Sequence, residues 1–339
     1  MATIYDVARA AGVSTAAVSL VLNDPNTNRV GPEKKRRVLR AVNGLSYAPN
    51  GVARALSKRF TKILGLVVPM RDAIFFNYFI TGVLSGIQSV LIERGYNLMI
   101  YSHRARTGRM THGQILESRM VDGLLVINTR LCTASDMDTT ITELKDAAIP
   151  FVMVNNYYGH DSINYVGVND RQTGHQAAEY LLRKGRRRIA VLGGARKTPT
   201  GTALIESFCE AMEDAGASIE PGLVAYGEYD QPTVERITRG WLTRVHPPTA
   251  IFCADDQMTP DVYDAVRLEK KQIPRDVAIL GRGDFFFTTS LHPKLTTLRL
   301  PTMDMGRRAA NMLIDTLTGK SHVPEQVLLP SELIERQSV

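Results

Sequence analysis

The sequence predicts an α/β protein in two unequal parts: a small, basic, all-helical module and a larger body of parallel, doubly wound sheets in two lobes. Three observations predict it. The whole formal charge of +7 sits in residues 1–60, where ten Lys/Arg stand against three acids. The same stretch carries helix caps and a glycine turn at the spacing of a helix-turn-helix. After Phe60, short continuous apolar runs alternate with helical stretches, as in strands covered by helices on both faces. The length, 339 residues, suits two or three domains.

The first helix is read from Thr3 and Asp6, a capping box whose hydroxyl and carboxylate take up free N–H groups of the first turn. Val7, Ala8 and Ala11 then recur at helical spacing, and Gly12 supplies the positive φ of a short turn. Ser14 caps a second helix. Ala17, Val18, Val21 and Leu22 form one apolar face of that helix; Thr15, Ala16, Ser19, Leu20 and Asn23 form another. Two helices joined in this way match a motif whose second helix lies in the major groove. A third helix starts at Pro32-Glu33, with Val38, Ala41, Val42 and Leu45 inward and Lys34, Lys35, Arg37 and Arg40 outward. A polyanion such as nucleic acid is the natural partner of this module.

In the body, Ile63–Val68 reads as a buried strand, Tyr78–Arg94 as a helix ending at Gly95, and Asn97–Tyr101 as a strand. A helix near His112–Met120 precedes the strand Gly123–Ile127, and a helix near Asp136–Ala148 precedes Phe151–Val154. The alternation begins again with Tyr165–Val168 and a helix from Thr173 to Lys184. Strands at Ile189–Leu192, Ala250–Cys253 and Val277–Leu280 follow, with helices between. Two such series predict two lobes with a cleft at the strand C-terminal ends.

The composition, 44% hydrophobic and 22% charged, is that of a soluble globular chain. No apolar run approaches the ~18 residues of a membrane span. The opening Met1-Ala2-Thr3-Ile4-Tyr5-Asp6 has no basic start before an apolar stretch, so a cytoplasmic chain without membrane contact is expected. Cys132, Cys209 and Cys253 are odd in number and far apart, which excludes a disulfide scaffold. The seven histidines show no metal-ligand spacing. No Gly-x-Ser-x-Gly elbow occurs, Gly193–Thr198 lacks the Gly-Lys-Thr junction of a phosphate loop, and Gly281-Arg282-Gly283 lacks the third glycine of a dinucleotide motif. Neither catalysis, a cofactor nor a metal is expected.

The run Thr3-Ile4-Tyr5-Asp6-Val7-Ala8, with Ala11–Ser14, Val18-Ser19 and Val21–Asn23, resembles the headpiece of the lactose-repressor (LacI/GalR) family of bacterial transcription regulators. Leu45–Asn50 and Val52–Leu56 extend the resemblance. In the body it continues through Val121–Leu125, Asp255–Met258, Ile273–Ile279 and Leu295–Leu298. The resemblance implies a headpiece over residues 1–46, a linker with a hinge helix over 47–60, and a type I periplasmic-binding-protein-like regulatory domain. Its lobes are expected at 61–161 with 291–322 and at 162–290 with 323–339, the chain crossing near residues 161, 291 and 323. It further implies a homodimer on a palindromic double-stranded operator, acting as a repressor under a small-molecule effector.

Roles carried over by resemblance are as follows. Thr15, Ala16 and Leu20 match positions facing base edges, where only Thr15 can hydrogen-bond a base; Leu20 has packing under the third helix as its alternative. Thr3, Tyr5, Ser14, Ser19, Asn23, Arg29 and Arg37 are expected at the DNA backbone. Asn50, Ala53, Arg54 and Leu56 belong to the hinge helix, with Leu56 the wedge that unstacks a base step. In the cleft, Asn155 and Asp255 can bond hydroxyls, Tyr229 can stack on a ring, and Phe75 and Phe76 can cover a ligand. Arg71, Arg196, Lys197 and Arg282 lie in segments expected to face the cleft, which would favour an anionic sugar phosphate or sugar acid unless Asp72, Asp256 and Asp284 pair with them. Two family anchors are absent. Leu204 stands where the family has an arginine, and Gly283 stands where it has an aspartate. A pocket that has lost its ligand, with control by a protein partner or by abundance, is therefore the alternative; a solute-binding protein is a distant one.

Overall fold

The computed structural model describes residues 2–24, 26–47, 60–69, 76–103, 120–128, 134–155, 162–196 and 198–339. It divides into two units, Met1–Lys62 and Ile63–Val339.

The first unit holds three helices, α1 (Ile4–Ala11), α2 (Thr15–Asn23) and α3 (Pro32–Gly44). The Thr3 hydroxyl accepts the Asp6 N–H, and the Asp6 carboxylate accepts the Thr3 N–H, which closes the expected capping box. Gly12 ends α1 at φ +61°, a left-handed value that a side chain would strain. Ser14 caps α2 by accepting the Ala17 N–H at 3.2 Å. Val7, Ala8, Ala11, Val18, Val21, Val30 and Val38 form the small core. Leu45, expected on the inner side of α3, follows the helix end and is 39% exposed.

The second unit contains two six-stranded sheets. In the first, β1 (Ile63–Pro69), β2 (Asn97–His103), β3 (Gly123–Ile127), β4 (Phe151–Val154), β5 (Asn164–Val168) and β11 (Gln326–Leu329) lie in the order β11-β5-β4-β3-β1-β2. In the second, β6 (Ile189–Gly193), β7 (Val224–Tyr226), β8 (Ala250–Cys253), β9 (Ala278–Gly283), β10 (Thr296–Arg299) and β12 (Glu332–Ile334) lie in the order β12-β10-β9-β8-β6-β7. The β10–β12 pair is antiparallel and the other pairs are parallel.

Helices cover both faces of each sheet. On the first, α4 (Tyr78–Arg94) and α10 (Thr302–Leu317) pack on the face that carries Leu64, Leu66 and Val68. The opposite face carries Val67, Leu124 and Val126 and receives Ile141 and Leu144 of α5 (Ala134–Asp146). On the second, α6 (Asp170–Arg183) and α7 (Pro199–Asp214) meet Ile189 and Val191, while α8 (Gln231–Leu242) and α9 (Thr259–Leu268) meet Ala190 and Leu192. Alternate residues of one strand thus feed two cores, which explains why the strands read as unbroken apolar runs.

The expected lobe boundaries shift. β5 does not begin the second series: it pairs with β4 and β11 in the first sheet, while β10 pairs with β9 in the second. The chain therefore crosses between lobes after β5, after β10 and after β11, and not near residues 161, 291 and 323. The crossings are stitched together. The Asn169 N–H donates to the Leu329 carbonyl at 2.9 Å. The Thr173 and Ser331 hydroxyls bond at 2.9 Å. Arg299 donates to Glu332 at 3.0 Å. No single helix among the described residues is long and apolar enough to cross a membrane.

Candidate functional site

In the headpiece unit, Thr3, Tyr5, Ser14, Ala16, Arg29 and Arg37 are exposed, with Tyr5 70% so. Thr15 and Ser19 are half-buried on α2. Leu20 is half-buried and packs on the headpiece core, so much of its surface is spent on the fold and not on DNA. Asn23 ends α2. The hydrogen bonds of the Thr3 hydroxyl and N–H hold the Asp6 carboxyl below its ordinary range, which fixes the start of α1. The Arg37 guanidinium reaches from α3 to the turn between α1 and α2, 3.6 Å from where a Gly12 Cβ would stand. Lys34, Arg36 and Arg40 are exposed on the same helix. This module can offer a small-residue helix face and several cations to a polyanion. Asn50, Ala53, Arg54 and Leu56 lie outside the described residues.

In the second unit, Asn128 and Asn155 lie at strand C-terminal ends of the first sheet, and Tyr229, Asp255 and Arg282 at those of the second. Asn155 follows β4 at φ +76° and donates from Nδ2 to the Asn128 carbonyl at 2.9 Å. Tyr229 follows β7 with left-handed backbone and donates its hydroxyl to Asp255 Oδ2 at 3.3 Å. Asp255 follows β8 and accepts the Gln257 N–H at 2.9 Å, which starts a 3₁₀ turn at Asp256–Met258. One carboxylate, one phenol and one primary amide are the groups that bind neutral hydroxyls well.

Next to them Asp256 is fully buried and accepts the Asp284 N–H at 2.7 Å and the Thr297 hydroxyl at 2.9 Å. Burial pushes its carboxyl up to about 7 against those bonds. Gly281 makes this arrangement possible: a Cβ there would stand 1.9 Å from Asp256 Oδ1. Burial also pushes the Asp284 carboxyl up, but the bonds from Arg336 at 2.6 Å and Arg299 at 2.7 Å outweigh it and hold it below its ordinary range.

The expected convergence of four cations needs correcting for the two that are described. Arg282 is 12% exposed and is committed to Asp170, a carboxylate with no exposure that was not among its expected partners. The pair brings the end of β9 to the start of α6. Burial pushes Asp170 up to about 6 even with the guanidinium beside it. Arg282 Nε and Asp170 Oδ2 have no hydrogen-bond partner among the described residues. Arg196 is exposed, with its guanidinium 5.1 Å from the Tyr226 ring centroid and its N–H on Glu228 at 3.2 Å. Among the described residues, neither Asp256 nor Asp284 pairs with Arg196 or Arg282. Arg71, Asp72, Phe75 and Lys197 lie outside the described residues.

Phe76 is 81% exposed immediately before Asn77, the cap of α4. Leu204 is buried in the core between α6 and α7, as is Ser207, so this stretch supplies packing where the family's motif has a charged anchor. Asn128, Asp170 and Tyr78 were not anticipated from the sequence. Asn128 directly follows an apolar strand, and that signal could have found it. No local signal marks Asp170 as the partner of Arg282. Among the described residues, no group of His, Cys, Asp and Glu could hold a metal ion.

A basic helix-turn-helix unit followed by a two-lobed, doubly wound body with a polar cleft defines a DNA-binding regulator of the ligand-responsive kind. Residues 3–50 match the model of the bacterial regulatory proteins of the lacI family, and residues 178–339 match a periplasmic binding protein-like domain. The chain is 30% identical over 340 residues to the HTH-type transcriptional regulator CelR of Thermobifida fusca, covering 99% of this chain and 98% of that protein. It is 29% identical over 343 residues to the HTH-type transcriptional repressor PurR of Haemophilus influenzae, covering 100% and 99%. A solved transcriptional regulator CelR–cellobiose complex superposes with a TM-score of 0.75 at 29% identity, covering all of both chains. A lac repressor dimer bound to operator and the anti-inducer ONPF shares the fold, with a TM-score of 0.85 at 21% identity over 99% and 98%. The chain belongs to the LacI family; it is a transcriptional regulator and not an enzyme.

Proposed function

We propose that the chain is a cytoplasmic repressor that binds a palindromic operator as a homodimer and answers to a neutral, hydroxyl-bearing effector, a sugar, in the inter-lobe cleft. The Tyr229–Asp255 hydrogen bond carries the effector reading. It sets a carboxylate acceptor and a ring side by side at the strand ends of one lobe, and Asn155 stands at a strand end of the other. A carboxylate accepts from sugar hydroxyls and repels phosphates and sugar acids. Of the two described cations, Asp170 neutralises Arg282, and Arg196 is exposed over Tyr226, 5.1 Å from its ring centroid. The relative solved with cellobiose supports the same class of ligand. Thr15 and Ala16 on α2, flanked by Thr3, Tyr5, Ser14, Ser19, Asn23, Arg29 and Arg37, are the proposed DNA contacts, with Asn50, Ala53, Arg54 and Leu56 in the hinge.

A thermal-shift screen of the full chain against neutral mono- and disaccharides, sugar phosphates, sugar acids and nucleobases tests this. A ligand at 100 times its Kd adds ~2.7 kcal/mol if it binds the folded state alone. A neutral sugar should shift the transition, and Tyr229→Phe should shrink the shift. A shift by the anions alone would overturn the effector class and return weight to Arg71 and Lys197. A second reading, control by a protein partner, is favoured by Leu204 and Gly283, which leave two positions without a polar anchor; it gains if no small molecule shifts the transition.

A further inference from the structure

Tyr78 opens α4 in the first lobe, directly after its cap. Asn77 is 6% exposed there and accepts the Ile80 N–H at 3.2 Å, so the position of Tyr78 is fixed by the helix start. Its ring does not pack within its own lobe alone. It meets three rings from the other lobe: Phe285 at 5.5 Å, Phe286 at 5.0 Å and Phe287 at 5.7 Å between centroids. The contact with Phe286 is edge-on, at an interplanar angle of 81°. Phe287 in turn touches Phe285 and Phe286 at 6.2 and 6.1 Å. These are the separations at which aromatic pairs attract.

The three phenylalanines stand on a rigid base. Asp284, the residue before them, is held by Arg299, Arg336 and the Asp256 carboxylate. Thr288, the residue after them, bonds Asp284 and the Phe285 carbonyl. Both partners in the contact are therefore anchored within their own lobes, and the rings meet across the gap between lobes. Phe286 nevertheless remains 72% exposed, while Phe285 is 7% exposed. Phe286 is thus a large apolar side chain held facing water beside a buried Phe285 and a half-buried Phe287. Parting the lobes would return the covered faces of Tyr78, Phe285 and Phe287 to solvent.

We propose that Tyr78, seated among Phe285, Phe286 and Phe287, is an aromatic clasp that holds the two lobes together across the cleft without a ligand. The clasp makes the closed arrangement a resident state of the free regulator. An effector that prefers the closed state then binds more tightly by the fraction already closed, and an effector that prefers the open state must first break the clasp. The clasp is independent of which effector the cleft takes, so failure of the sugar assignment would leave it standing.

The test is a distance measurement by double electron–electron resonance on the full chain without ligand. Nitroxides are placed through encoded keto side chains at Glu93 on α4 and Glu213 on α7, both exposed, and diluted with unlabelled chain so that distances within one chain are read. Wild type should give one short population. Phe286→Ala and Tyr78→Ala should add a longer population, lowering the closed-to-open ratio about ten-fold. Tyr78→Phe, which keeps the ring, should match wild type. Phe286 is a surface ring, so its removal empties no core; with Phe287→Ala it carries the test if Tyr78→Ala does not fold. Superimposable distributions for wild type and Phe286→Ala would overturn the proposal. So would a long population dominating wild type, or Tyr78→Phe opening the lobes as far as Tyr78→Ala.

Discussion

Arg282→Leu should reveal how the buried pair at the end of β9 is balanced. The Asp170 carboxylate has no exposure and Arg282 has 12%. Burial raises Asp170 from 3.8 to about 6 with the guanidinium in place. At ~1.4 kcal/mol per unit, desolvation already outweighs attraction by on the order of 3 kcal/mol at neutral pH. Removing one partner of such a pair costs a further ~3–5 kcal/mol, because the remaining charge has nothing to answer it. The loss has a ceiling, since the carboxyl can take up a proton instead of staying charged. A folded-state pKa above the unfolded one means that Asp170's contribution to stability is complete below 3.8 and is lost as pH rises through about 6. In the variant the folded value lies higher still, so the loss continues to higher pH. Wild type and variant should therefore lie within ~1 kcal/mol at about pH 5, where both are largely protonated, and separate by up to ~3 kcal/mol more at about pH 8, the cost of keeping the carboxyl protonated over about two further pH units at ~1.4 kcal/mol each. Urea unfolding of the second unit at the two pH values measures this, and Asp170→Asn in the Arg282→Leu background should recover most of the loss at the higher pH. An equal loss at both pH values would refute the reasoning.

Gly281→Ala would put a Cβ 1.9 Å from Asp256 Oδ1, which cannot move without releasing Thr297 and the Asp284 N–H. The expected loss is ~2–3 kcal/mol by urea unfolding, and a loss under ~0.5 kcal/mol would show that the site yields. Arg37→Ala should weaken binding to operator and to random duplex alike and lower the slope of log K against log salt by ~1; an unchanged slope in anisotropy titrations would remove its phosphate contact. Leu56→Ala should weaken operator binding about ten-fold more than random-duplex binding, and equal weakening of both would end its role as a wedge.

The local signals in the sequence were strong where one residue does one job. Ser14, Gly12 and the Thr3–Asp6 box mark helix ends because capping acts over three or four residues. The apolar runs mark strands because two cores flank each sheet. Sheet membership was not legible at β5, since a parallel strand looks the same in either sheet and only the distant β11 reveals which one holds it. β11 itself is an edge strand of alternating exposed and half-buried residues, and β7 is only three residues long, so neither gives an apolar run. In the cleft, Asn155 and Asp255 were legible because each closely follows an apolar strand, whereas Tyr229 was legible only through the family resemblance. The pairing of Arg282 was not, because Asp170 is far away in sequence and reaches it only through the turn of α6 against β9. The run Phe285–Phe287 was not read as a site, because its partner Tyr78 comes from the other lobe.

The way the sheets are threaded limits how this architecture can be rearranged by recombination. The headpiece is one uninterrupted stretch, so a single genetic exchange could supply a new one and retarget the same sensor to other DNA. Each lobe draws strands from separate stretches, with β11 returning to the first sheet after the second has nearly been completed and β12 closing the second in turn. No single cassette contains a whole lobe. A lobe cannot be exchanged alone, so new ligand specificity arises either by point changes at the strand ends or by exchange of the whole second unit.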